Sequence, residues 1–170
     1  MKKAMMLSTL ALFLIVSAGY VFAEEMPKEG TVSGTAAYSC PVAVMMMGKD
    51  VQVTFDALGV FVTDSPDSPF NNASVRILGS GLVLKGVYTE VGSGCLTFPN
   101  GDQVFWIYEG EAYEANKILS KMTFTGGTGN FAGITGEGEF DRLNVAKPAK
   151  KGTSQGYIKT KFTWKIEKAE

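Results

Sequence analysis

Histidine is absent from this chain, and cysteine occurs only twice. Without an imidazole, no nucleophilic triad that depends on histidine can be assembled. Charge is sparse and nearly balanced, and no basic block stands out, so the electrostatic footprint of a nucleic-acid binder is missing. Helical periodicity is scarce, and there is no internal repeat and no linker rich enough to divide the chain. One long apolar run exists, Ala4–Phe22, behind Lys2 and Lys3 and ahead of Ala23-Glu24-Glu25.

A basic start, an apolar middle and a small-residue exit predict a secretory signal peptide over residues 1–23. A retained membrane anchor is the rival reading, because the run is about long enough to span a bilayer. The Val21-Phe22-Ala23 exit and the charges after it favour cleavage. Removal would leave 147 residues (170 − 23) with a net charge of −3 (14 − 17), enough for one domain with one core. The expected organisation is a lead-in over 24–30 and a single domain over 31–170. The expected location is periplasmic or secreted, with no membrane partner after cleavage. In an oxidising compartment Cys40 and Cys95 are expected to form a disulfide.

Strand signals fill the rest. Val51, Val53, Phe55 and Ala57 alternate with Gln52, Thr54 and Asp56. Val104, Trp106 and Tyr108 alternate with Phe105 and Ile107. Ile118, Met122 and Phe124 share one face, as do Ile158, Phe162, Trp164 and Ile166. Leu82–Val91 is read as a further strand, bracketed by turns at Gly79-Ser80-Gly81 and Gly92-Ser93-Gly94. Period two with turns every ten or so residues predicts an all-β sandwich or barrel of seven to nine strands. A short helix near Val42–Gly48 is weakly indicated. Pro99-Asn100-Gly101-Asp102 is a hairpin turn, since one carboxylate is too few for a calcium loop. Gly126, Gly127 and Gly129 predict a tight structural corner. A phosphate loop would need Lys-Ser or Lys-Thr after the last glycine, and Asn130-Phe131 follows instead.

The run Gly126-Gly127-Thr128-Gly129, with Phe131, Gly133 and Gly136 after it, resembles the hairpin motif of the allene oxide cyclase and dirigent-protein barrel group. Gly94-Cys95 through Asn100-Gly101-Asp102 to Tyr108-Glu109-Gly110 is similar to exported bacterial proteins of that type. The resemblance spans about 45 residues and implies a single antiparallel barrel of about eight strands. It carries over no activity, because the shared motif is architectural.

Candidate chemistry is thin. Met45-Met46-Met47 near Cys40 suggests soft copper ligands, but core packing or plugging of a barrel mouth is the expected role, and no metal or cofactor is expected. Glu90 shares strand parity with Tyr88 and is the one strand carboxylate placed to act as an acid or base. Its place near a strand end favours a solvated side chain. Tyr88, Trp106 and Tyr108 are the candidate ligand contacts, each joining apolar area to a polar handle. The loops Asp64–Asn72 and Ala43–Lys49 would control access. The leading function is binding of a small apolar molecule in the lumen. A cofactor-free cyclase or isomerase using Glu90, or a structural barrel with a filled core, are the alternatives, so whether the chain is an enzyme stays open. The outward parity of Phe105 and Ile107 calls for a cover, either the N-terminal segment or a second subunit, with the homo-oligomer favoured.

Overall fold

The computed structural model describes residues Met26–Glu167. Their alternating pattern folds into eight antiparallel strands: β1 (Glu29–Met47), β2 (Asp50–Thr63), β3 (Ala73–Leu84), β4 (Val87–Thr97), β5 (Gln103–Glu114), β6 (Lys117–Gly127), β7 (Ile134–Asn144) and β8 (Thr153–Ile166). Each strand pairs with the next, and β1 pairs with β8 from Glu29↔Lys165 to Pro41↔Thr153, closing the barrel. Closure removes both sheet edges. Of the sandwich or barrel that the alternation allows, the fold is the barrel, as the resemblance implies. The expected signal peptide over 1–23 lies outside the described residues. β1 begins inside the stretch read as lead-in.

Inward parity is as the alternation predicts. Phe55, Ala57, Val104, Trp106, Tyr108, Ile118, Met122, Phe124, Ile158, Phe162 and Trp164 are all buried. An eight-stranded barrel is just wide enough for such side chains to meet across the axis. At its centre they leave only an apolar gap of about 40 Å³.

Several local expectations are corrected. Leu82–Val91 is not one strand, because Lys85 and Gly86 adopt φ of 52° and 85° and turn the chain between β3 and β4. The two Gly-Ser-Gly motifs are therefore not turns. They lie within paired strands, Gly79 opposite Gly92 and Gly94 opposite Ile77. A Cβ at Gly79 would sit 2.5 Å from both the Phe55 ring and the Tyr108 hydroxyl, and one at Gly94 would sit 2.0–2.7 Å from three atoms of the Trp106 ring. These glycines are absent side chains that make room for lumen aromatics. No helix forms near Val42–Gly48, where β1 and β2 continue as a long hairpin to Met47↔Asp50. Met45, Met46 and Met47 project from it exposed, so they neither pack in the core nor plug the mouth.

The 126–129 corner has two parts. Phe105 pairs with Gly126 and Trp106 with Phe124, leaving Thr125 as the extra residue of a β-bulge, with Gly126 at φ 146°. Gly129 (φ 56°) then opens a 3-10 turn, Gly129–Phe131. Gly127 lies between them without a positive φ, although a side chain there would meet the Phe131 and Gln103 carbonyls. Asp102 ties this turn to the neighbouring hairpin by accepting the Asn130 N–H (2.9 Å) and the Asn100 amide (2.8 Å).

The ends of the barrel differ. At one end the 64–72 connection folds inward and seats Phe70 fully buried among Phe98, Phe131, Phe162 and Trp164, with ring centroids 5.0–5.9 Å apart. This connection is a stopper, where a mouth-controlling loop was expected. The opposite end, beneath the β1–β2 and β3–β4 hairpins, is open.

Candidate functional site at the open end of the barrel

Beneath the open end lies a cavity of about 290 Å³, lined by Val42, Val53, Phe55, Ala112 and Ile118 and by the polar residues Tyr88, Asn116, Lys117, Arg142, Asn144 and Ser154, with Cys40 beside them. That volume is at the low end for small-molecule pockets. Arg142 reaches it because β7 places Phe140 and Arg142 two residues apart, on the same inward face. Its guanidinium forms an ion pair with Glu90 on β4 and lies 5.1 Å from the centre of the Phe55 ring. Tyr88 Oη donates to Glu90 Oε2 at 2.9 Å, and Arg142 Nη2 donates to Tyr88 Oη at 3.4 Å. Nearby, Tyr38 Oη donates to Asn144 Oδ1, which also accepts from Ser154 Oγ at 3.2 Å.

Glu90 is 3 % exposed, so the solvated carboxylate favoured from its place in the chain is corrected. The hairpin turn at Lys85-Gly86 sets it four residues down β4, inside the wall. Burial pushes its carboxyl above the usual range, against the pull of Arg142. Burial also opposes the Arg142 charge, but Glu90, Tyr88 and Tyr38 together more than offset this and the guanidinium stays cationic. Tyr38 and Tyr88 are both pushed up to about 12 by burial, so both are neutral donors near neutral pH. Glu90 Oε1, Arg142 Nε, Ser120 Oγ, Tyr108 Oη and Trp106 Nε1 are buried without a well-formed hydrogen bond, although the Ser120 hydroxyl is close enough to Glu90 to favour its charged form. Buried polar atoms of this kind are ordinarily paired, with protein, water or ligand.

The sequence candidates separate. Tyr88 lines the open cavity and touches Glu90. Trp106 borders only the central gap, and Tyr108 stacks edge-on against Phe140 at 5.1 Å, so both belong to the packed core. The expected Cys40–Cys95 bridge is absent. Cys40 faces the lumen from β1, whereas Cys95 faces outward on β4, three strands away, and hydrogen-bonds the Leu96 carbonyl at 3.4 Å. Arg142 went unread in the sequence, although the parity it shares with Phe140 was the available signal. Among the described residues no group of three carboxylates or cysteines converges as a metal site.

No protein-family model matches the chain, and no curated protein matches it in sequence. Solved structures do match. The pterocarpan synthase dirigent protein GePTS1 superposes over 85 % of this chain and 90 % of its own, with a TM-score of 0.51 and 12 % identity. The pterocarpan synthase dirigent protein PsPTS1 covers 85 % of this chain and 99 % of its own, at a TM-score of 0.48 and 11 % identity. The likeness to GePTS1 is one of fold: this chain is built as the same kind of closed barrel as a dirigent protein.

Proposed function

We propose that the protein binds a small, largely apolar molecule in the open end of its barrel, with a polar group of that molecule seated on the Glu90–Arg142 pair. The carrying observation is that Arg142 and Tyr88, both bonded to the buried Glu90 behind them, line a cavity that they share with Val42, Val53, Phe55, Ala112 and Ile118. The expectation of an apolar ligand along the whole lumen narrows accordingly, because the centre and the far end are filled by aromatic rings. Titration calorimetry with a panel of small alicyclic and aromatic alcohols, ketones and acids tests the reading. Arg142→Met should weaken the best binder by about tenfold or more, the scale of a charge-assisted hydrogen bond, while Trp106→Phe should leave it unchanged. If no panel member binds, or Arg142→Met is silent, the reading fails.

One observation favours a second reading, a cofactor-free cyclase or isomerase. A carboxyl with a raised pKa, hydrogen-bonded to a tyrosine that lines the cavity, is suited to proton transfer. Turnover lost in Glu90→Gln with binding retained would distinguish catalysis from capture.

A further inference from the structure

The connections at the two ends of the barrel carry opposite charge. At the open end, residues 48–49, 85–86, 115–116 and 145–152 include Lys49, Lys85, Lys147, Lys150 and Lys151 and no carboxylate. All five lysines are exposed, and among the described residues none is in a salt bridge. The nearby strand-end carboxylates are engaged: Asp50 accepts the Lys85 backbone N–H at 3.0 Å, and Glu114 pairs with Lys117 at 2.7 Å. At the stoppered end, residues 64–72, 98–102 and 128–133 include Asp64, Asp67 and Asp102 and no lysine or arginine. The open-end hairpins also lift apolar side chains above the rim. Val44, Met45, Met46 and Met47 on one, and Leu84 and Val87 on the other, are 38–66 % exposed.

We propose that the open end is a docking surface for an anionic lipid bilayer. Methionine, leucine and valine tips entering the headgroup–acyl boundary, ringed by lysines facing anionic headgroups, are the two terms that hold peripheral proteins to membranes. The lysines lie on three separate connections with apolar tips between them, a spacing that fits a broad charged surface better than one small anion. A second copy facing the same end would set lysines against lysines. The wall limits the depth of docking, because Lys121, Glu139 and Lys161 form an outward cross-strand ladder of alternating charge that does not enter hydrocarbon. Docking is therefore end-on and peripheral, and it turns the cavity mouth toward the lipid. The proposal departs from the expectation that the mature domain has no membrane partner.

The experiment is co-sedimentation of the exported protein with vesicles, after N-terminal sequencing has excluded a retained leader as the membrane-binding element. Vesicles of equimolar phosphatidylglycerol and phosphatidylcholine should bind at least about tenfold more tightly than phosphatidylcholine alone, and high salt should abolish the difference. The exposed pair Lys150→Glu/Lys151→Glu should lose about tenfold or more, Met45→Ser/Met46→Ser should also weaken binding, and Asp64→Asn at the far end should not. Thermal melts of each variant check that the barrel is intact. Absence of vesicle binding, equal binding to both compositions, or indifference to both open-end variants overturns the proposal. Salt-sensitive self-association without vesicle binding would assign the charge separation to head-to-tail assembly instead. The vesicles contain no cavity ligand, so failure here leaves the proposed ligand site untouched.

Discussion

Removing the Arg142 side chain would leave Glu90 as an unpaired carboxylate inside the barrel wall. Breaking one partner of a buried pair typically costs about 3–5 kcal/mol, whereas replacing both can be nearly neutral. Arg142→Met is therefore expected to be the most destabilising single change in the polar layer, and Glu90→Gln/Arg142→Met should regain most of the loss in denaturant melts. Glu90 also sets a pH dependence whose sign is fixed. Its folded pKa lies above its unfolded value, so the folded state holds the proton more tightly. Its contribution is fully present below the unfolded pKa and is lost as pH rises through the folded one. Between about pH 4 and the raised value, the stability of wild type relative to Glu90→Gln should fall as pH rises. An opposite slope in paired melts would show that Arg142 wins over burial and holds Glu90 ionised. Asp56, held low by Arg76 on the outer wall, acts in the other direction in both proteins and cancels from the comparison.

At the scale of the strand, period two set the lumen-facing residues of β2, β5, β6 and β8, and these were legible because polar and apolar residues alternate cleanly there. β3 and β4 were not. A glycine signals either a turn or the close approach of something large, and the large group is remote in sequence: the ring that requires Gly94 belongs to Trp106, and the one that requires Gly81 belongs to Tyr88, across a hairpin. Misreading those glycines as turns displaced the real turn at Lys85-Gly86, and with it the depth of Glu90. Phe70 was hidden for a similar reason, since an apolar residue in a Pro- and Asn-rich connection has no period to betray its burial. The glycine reading has a direct check. Gly94→Ala should cost about 1–3 kcal/mol as an overpacked core site, while Gly86→Asn, at a turn with nothing within reach of a side chain, should cost much less. Trp106→Leu in the Gly94→Ala background should recover part of the loss. Equal effects at Gly94 and Gly86 would mean that the ring and the glycine are not in register.

Over the whole molecule the outer wall is divided lengthwise as well as end to end. β6, β7 and β8 present Lys121, Glu137, Glu139, Lys159 and Lys161 outward with Leu119 among them, whereas β2 to β5 present Leu58, Val60, Leu78, Val91 and Ile107, each about half exposed, down to Glu109 and Glu111 on β5. Apolar side chains spread over neighbouring strands are more than the scattered exposure of an ordinary surface. The cover expected for Phe105 and Ile107 thus has a wider footprint than those two residues, running across four strands, with the Arg76–Asp56 ion pair at 2.7 Å set within it. The expectation of a homo-oligomer is a prediction about this wall. Sedimentation velocity of the exported protein at micromolar concentration should give more than the monomer mass, and Ile107→Lys should return it to the monomer. Because Ile107 is already 55 % exposed, that substitution should leave the melting temperature of the barrel close to that of the dissociated wild type. Trp106→Lys, one residue away and facing the lumen, should prevent folding, which separates the two faces of β5. A wild type that is monomeric throughout would leave the apolar wall without a second subunit.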